Sequence, residues 1–523
     1  MLRLYLCVAA FVGVLIAPFL LQDVFREHPL ERPAQSGEML ELRIITPHNQ
    51  DIRRAFEPAF SDWHRQHFGR GVAITYLSPG GTNDIVRYLR DLYGTYRDAQ
   101  GKLLPEDQVR SGIELVWGGG DYAFERDFKP FLKPLVLGPG VLQAAFPVPD
   151  LAGVALFDPE ASANSSAPKW VGVVLSSFGL IYAPGFYAGL GLPPPDSWSD
   201  LARPELHGLL ALADPTRSGS AAVAYMMVLQ RAMESAERAW FADHPELGYS
   251  LTQTELRPAD EKLPSYQQAL ARGWKEGMRT LLLMAANARY FADSGSRPCV
   301  DVGDAEAAAG VAIDFFARVF QDQIGKARIT YHAPRGATAI TPDPIGILYG
   351  TRGEREVVAN RFVEFLLSPD GQRLWDLDRG HSPYISRSLR RMPVRRDVYA
   401  DRTGWADDDN PFEMAQGFNL RQRWMRQLGR LVPIWAAAWI DGKPELDQAY
   451  AALLAVADPE RRERLRQRLS DLPIELSELT RPSGDGALSG GDAKLRTARE
   501  RMEWSSRFRD HYLSVLRDAE GGE

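Results

Sequence analysis

The chain has 523 residues, of which 45% are hydrophobic, 25% charged and 10% aromatic, and its formal net charge is −7. These proportions exclude a disordered, collagen-like or coiled-coil chain over most of its length, and an acidic balance without a basic block argues against a nucleic-acid partner. Two cysteines, Cys7 and Cys299, leave no disulfide framework and no thiolate metal site.

Residues Leu4 to Leu21 form an almost unbroken apolar run behind a single basic residue, Arg3. That length suits a long signal segment or a tilted membrane span, and the preceding charge favours export of the rest of the chain. No small-x-small cleavage site comes after the run, and Cys7 lies inside it, where it does not form a lipoprotein site. The segment 1–25 is therefore expected to be a signal peptide or a membrane anchor, and 26–41 a polar tether. No second apolar run reaches about 18 residues, which excludes a multi-span channel.

From Leu42 the pattern alternates. A strand at Leu42–Thr46 meets the turn Pro47-His48-Asn49. Ile52, Phe56, Phe60 and Trp63 come next at helical spacing, with Pro58 expected to kink that helix or split it in two. Val72–Leu77 is a second strand, Ile85, Val86 and Leu89 mark a helix, and Ile113–Trp117 is a third strand. Trp170–Tyr182 reads as one extended apolar segment. Leu209–Ala213 is a strand followed by a helix to about Met233, Ala307–Phe316 is apolar, and Val357–Leu367 is an amphipathic helix. Past about residue 440 the chain is helical and strand-poor, and the Gly/Ser/Asp-rich stretch 480–495 reads as a loop before a last helix. Strand, turn and helix in alternation predict an α/β fold with a mainly parallel sheet.

Three loops share one design, a strand end followed by small residues and a helix start. They are Gly80-Gly81-Thr82, Gly118-Gly119-Gly120 and Ser218-Gly219-Ser220. Ligands of open α/β sheets lie beyond the carboxyl ends of the strands, where unpaired amides and the helix dipole favour a carboxylate, phosphate or sulfate. Ordinary turn and N-cap chemistry explains any one of these loops alone; three together point to a binding cleft. No phosphate loop, dinucleotide fingerprint, nucleophile elbow or HExxH motif is present, so nothing marks an enzyme. His64 and His67, the acidic cluster Asp301, Asp304 and Glu306, and the run Asp407-Asp408-Asp409 all read as solvated surface.

In their order these stretches resemble the family 1 extracellular solute-binding proteins of ABC transporters, in the branch of ferric-ion and hexose-phosphate binders. The resemblance rests on Thr46-Pro47-His48, Ser78–Thr82, Trp117–Tyr122, Val174–Gly179, Asp214–Ser220, Glu306–Phe316, Pro342–Ile347 and Phe365–Gln372, and spans Leu42 to Tyr399. It implies a two-lobed type II periplasmic-binding-protein-like fold, with the ligand between lobes that close about hinge crossovers. Val173–Tyr182 would hold one crossover and the region Asp314–His332 a second. The implied divisions are 42–175 for the first part of lobe 1, 176–325 for lobe 2 and 326–400 for the return to lobe 1. A helix-rich extension, 401–523, departs from the family. Besides the loop residues Gly80, Gly81, Thr82, Gly119, Gly120, Ser218, Gly219 and Ser220, the resemblance nominates Thr46, His48, Asp121, Ser176, Ser177, Arg217 and Asp314 as ligand-binding, with His48 and Arg217 as sources of positive charge. Ferric binders carry adjacent tyrosines where this chain has Phe315-Phe316, and phenylalanine cannot coordinate iron. The expected function is capture of a small anionic or polyhydroxylated solute for ABC import, by a monomer whose partners are that small molecule, the permease subunits and, if the N-terminus is retained, the membrane. No cofactor and no nucleic acid is expected. The alternatives are a membrane-anchored ligand sensor or scaffold, and a ferric-ion binder.

Overall fold

The computed structural model describes residues 39–249, 256–480 and 490–521. The apolar run Leu4–Leu21 and nearly all of the expected tether lie outside the described residues. Among the described residues no helix is long and apolar enough to cross a membrane.

Eight strands carry the sheet: β1 Leu40–Ile45, β2 Val72–Leu77, β3 Leu115–Trp117, β4 Val171–Tyr182, β5 Leu210–Ala213, β6 Ala288–Ala292, β7 Ala309–Ile313 and β8 Ile340–Leu348. Their order is β2-β1-β3-β8-β4-β7-β5-β6, and three two- or three-residue strands pair off this path. β1 is parallel to β2 and β3, and β5 is parallel to β6 and β7. β8 runs antiparallel to β3 and β4, and β4 runs antiparallel to β7, so the sheet is mixed rather than mainly parallel.

β4 is the pivot. Its first half, Val171–Ser177, pairs with Ile340–Ile345 of β8; its second half, Phe178–Tyr182, pairs with Ala309–Ile313 of β7. Twelve residues, eleven of them buried, run unbroken through this change of partner, as the continuous apolar reading of 170–182 predicts for a strand covered on both faces. The short strand Thr330–His332 still pairs with the second half of β4, so the chain rejoins the first half only at Ile340, beyond the expected crossover. Residues between are pinned at the pivot: the Thr338 hydroxyl donates to the Phe178 carbonyl at 2.7 Å, and the Trp198 indole donates to the Ala337 carbonyl at 2.7 Å.

Two cores lie on either side of this pivot. Around β1, β3, β8 and the first half of β4, aromatic rings from helix α1 (Gln50–Phe68), from helix α6 (Glu354–Leu367) and from Trp375 beyond it interlock, with Phe56 4.4 Å from Trp375 and Phe60 4.9 Å from Phe362. α1 is one continuous 19-residue helix with Pro58 inside it, not two short ones: Phe56, Ala59 and Phe60 bury the helix on both sides of the proline. Helix α2 (Thr82–Gly94) covers the other face.

The second core is built on helices α3 (Gly219–Asp243) and α4 (Pro264–Asn287). α3 extends ten residues past the expected end at Met233, because Trp240 and Phe241 continue its buried face. The two helices approach closely at Gly273 and Gly277, where an added Cβ would fall 2.6 Å from Met233 Cα and 2.8 Å from Leu229. Helix α5 (Asp314–Ile324) follows β7 directly. The C-terminal helices α7 (Leu428–Trp435), α8 (Lys443–Ala455), α9 (Pro459–Ser470) and α10 (Gly490–Glu520) share this second core. Trp435, Trp439, Tyr450, Phe508 and Tyr512 are all fully buried in it. The last helix begins at Gly490, inside the stretch expected to be loop.

Candidate ligand cleft

The cleft is built where the strands of both halves end. On the β1 side, Thr46 is buried and its hydroxyl accepts the His48 amide at 3.1 Å. That turn places the His48 ring edge-on to Trp117, 4.6 Å between centroids. Burial depresses the His48 pKa to about 4 despite the nearby Asp343 carboxylate, 3.9 Å away. His48 is therefore neutral at pH 7, which corrects its expected role as a positive charge.

After β3, Gly118, Gly119 and Gly120 all adopt positive φ, between 82° and 119°, a conformation open to glycine at little cost. A Cβ on Gly118 would also strike the His48 ring at 2.8 Å, and one on Gly119 would strike Thr82 at 2.9 Å. The turn aims two amides inward, yet both are taken: Gly119 and Gly120 donate to Asp343 Oδ1 at 2.7 and 3.1 Å. The next residue, Asp121, is half-buried, and burial next to Glu125 and Asp343 raises its carboxyl to about 7. The Gly80-Gly81-Thr82 loop behaves alike. The Asp84 carboxylate folds back to accept the Gly81 amide at 2.9 Å at the start of α2, the one half of a capping box that a glycine N-cap allows.

Ser176 and Ser177 lie at the pivot of β4. Ser176 Oγ accepts from Arg391 at 2.8 Å. Ser177 gives its amide and its hydroxyl to Asp314 Oδ2, at 2.7 and 3.0 Å, and its hydroxyl meets the Tyr331 hydroxyl at 2.9 Å. Asp314 opens α5 and its carboxyl is raised by burial, against the opposing charge of Arg318.

On the β5 side, Asp214 Oδ1 accepts the Thr216 amide and hydroxyl, each at 2.7 Å, and so shapes the loop. Ser218 caps α3 by accepting the Ala221 amide at 3.2 Å, and its hydroxyl lies 3.0 Å from Ser220 Oγ. Gly219 is the first helical residue. Arg217 is exposed, with Asp214 and Asp293 3.9 and 3.8 Å away. The two walls meet: Asn83 at the head of α2 donates to the Thr216 carbonyl at 3.5 Å. The structure thus gathers Thr46, His48, Gly119, Gly120, Ser176, Ser177 and Asp314 about the pivot, and sets the loops of Thr82 and Ser218 across from each other.

Sequence reasoning missed the side chain that ties the floor together. Arg391 is fully buried, donates to Asp343 at 2.9 Å and to Ser176, and lies 4.4 Å above the Phe315 ring. Burial would raise the Asp343 carboxyl, but the Arg391 charge and the glycine amide hold it below the usual carboxylate range. Trp117 and Phe178 are core side chains. Three surface readings are corrected. His64 is buried, bonded to the Arg70 carbonyl and to Arg361. Asp301 is buried against Tyr290 and Arg297. Asp407 and Asp409 both pair with the buried Arg318. Among the described residues no group of three or more His, Cys, Asp or Glu is arranged to hold a metal ion.

Residues 160–407, a stretch that includes the pivot strand, Ser218, Asp314, Asp343 and Arg391, match the family model of a bacterial extracellular solute-binding protein. Over that stretch the chain is similar to the extracellular solute-binding proteins. The curated relatives include the phosphoglycerate transport regulatory protein PgtC of Salmonella typhimurium and that of Salmonella typhi. Each is 25% identical over 214 residues, 41% of this chain and 42% of the relative. The chain thus matches less than half the length of these curated relatives. Similar solved structures include the periplasmic binding protein AfuA of Actinobacillus pleuropneumoniae with fructose-6-phosphate (15% identity, TM-score 0.47, covering 76% of this chain and 99% of that one). Another is iron-bound HitA of Pseudomonas aeruginosa (16%, TM-score 0.46, 75% and 99%).

Proposed function

We propose that this chain is an extracytoplasmic solute-binding protein that captures a small anionic solute, a phosphorylated organic acid, and hands it to the permease subunits of an ABC importer. The observation that carries the reading is the pivot strand. One strand serves two sheet halves, and loops of both halves meet at Asn83 and Thr216. Such a hinge lets a ligand stabilise the closed arrangement through contacts absent from the open one. The hydroxyls of Thr82, Ser218 and Ser220 and the guanidinium of Arg217 suit an anion bearing hydroxyls. The name of the Salmonella relatives, phosphoglycerate transport, points to the same chemistry. No catalytic constellation is needed for it, and the chain works as a monomer on the outer side of the membrane. A ferric ion is disfavoured because Phe315 offers no phenolate and carries the Arg391 cation over its face.

One observation favours a second reading, a membrane-held sensor. The same relatives are named as regulatory proteins, and the C-terminal helices share one core with the half that carries Ser218. Thermal melting of the full-length chain tests the first reading against 2- and 3-phosphoglycerate, hexose phosphates, phosphonates and Fe³⁺. A cognate ligand at 100 times its Kd adds about 2.7 kcal/mol. A shift with Fe³⁺ and none with any anion overturns the assignment of solute class. Loss of solute uptake in a strain lacking the chain supports delivery; retained uptake with lost induction supports the sensor.

A further inference from the structure

Four of the amides expected to greet an anion are already taken by carboxylates. Gly81 donates to Asp84, Gly119 and Gly120 to Asp343, and Ser177 to Asp314. Each of those carboxylates is hydrogen-bonded to its amides, so a phosphate arriving there would first have to displace it from them.

The opposite wall differs. A cavity of about 550 Å³ opens past the carboxyl ends of β5 and β6, with Asp214, Arg217, Tyr290, Asp293 and Arg297 on its walls. Its two loops are joined by the Asp214 amide, which donates to the Ala292 carbonyl at 2.8 Å. Gly295 brings the second loop against the cleft serines: a Cβ there would lie 2.7 Å from Ser220 Oγ and 2.8 Å from Ser218 Oγ. Two guanidinium groups therefore border one cavity beside the hydroxyl pair. The carboxylates nearest Arg217 are 3.8 and 3.9 Å away, beyond hydrogen-bond distance, and one of them, Asp214, already accepts twice from Thr216. Arg297 spends its Nε on Asp301 at 2.7 Å, which fixes its orientation.

We infer that Arg217 and Arg297 form the anion subsite of this protein and take the phosphate or phosphonate group of the solute, in place of the glycine amides of the other wall. Guanidinium donors match a phosphate bidentately and keep their charge at every working pH. The assignment rests on the proposed solute class and narrows where its charged group sits. The test is calorimetric titration of the full-length chain with 3-phosphoglycerate and with glycerate, in wild type, Arg217→Gln and Arg297→Gln. Among the described residues the exposed Arg217 side chain makes no hydrogen bond and only two long ion contacts, with Asp214 and Asp293, so its variant melts close to wild type. The expected result is a loss of affinity for 3-phosphoglycerate of at least about tenfold in each variant, with glycerate, bound more weakly, unaffected. Wild-type affinity for 3-phosphoglycerate in both variants overturns this subsite and leaves the function standing. Failure of the wild type to bind any phosphorylated acid overturns the solute class and the subsite with it.

Discussion

Asp343 stands between Pro342 and Pro344, where the ladder to β4 shifts register. Neither proline has an amide hydrogen to give, and the carboxylate between them meets Gly119, Gly120 and Arg391. Replacing Arg391 with Leu strands that carboxylate against a neutral floor, at a cost of about 3–5 kcal/mol, read as a lower denaturant midpoint at unchanged slope. His48 supplies a pH signature. Unfolded, it takes a proton near 6.5; folded, burial holds it neutral down to about 4. Its contribution is complete above pH 6.5 and is lost as pH falls from 6.5 to 4, about 3 kcal/mol over that window. His48→Leu flattens this limb of the stability profile, and an identical limb in both proteins contradicts the buried neutral imidazole. At this scale the sequence was half legible. Glycine and serine runs after strands announced themselves by local chemistry. Arg391 lay hidden in an arginine-rich stretch from Arg387 to Arg396, because a buried cation differs from a solvated one only through partners such as Asp343, 48 residues away.

The elements were the more legible part, since their signals are local. The apolar run 170–182 gave one strand, and the spacing of Ile52, Phe56 and Phe60 gave one helix, though Pro58 misled because helix packing outweighed its local cost. What spacing could not tell is that 401–523 is held to α3 and α4 by a buried ion cluster. Glu237, fully buried, pairs with Arg421 and Arg423 and accepts from the Tyr266 hydroxyl at 2.7 Å. Glu237→Gln removes a buried counter-charge from Arg421 and one of the two carboxylates that Arg423 meets, the other being Glu261, and should cost about 3–5 kcal/mol, measured as a fall in the urea midpoint. A variant within about 0.5 kcal/mol of wild type would show that the cluster does not bind the extension to α3. Ser218→Ala, which removes the cap of α3, should cost about 1 kcal/mol.

For the whole molecule, the C-terminal helices complete one of the two cores rather than hang from it. A chain ending at residue 410 exposes the faces of α3 and α4 that Trp435, Trp439 and Tyr450 now cover, and is expected to aggregate on expression; a soluble, cooperatively melting product would mean that the second half folds without them. A phosphorylated acid is proposed to bind between the two halves, where the loop of Thr82 faces that of Ser218. Thr82 is half-buried at the mouth and, among the described residues, its side chain makes no hydrogen bond, so Thr82→Trp fills the space between the walls while leaving both cores intact. Calorimetric titration with 3-phosphoglycerate decides whether it does. One saturable site is expected in the wild type and none in a Thr82→Trp variant that melts at the wild-type temperature. Undiminished binding in that variant would put the solute somewhere other than between the halves.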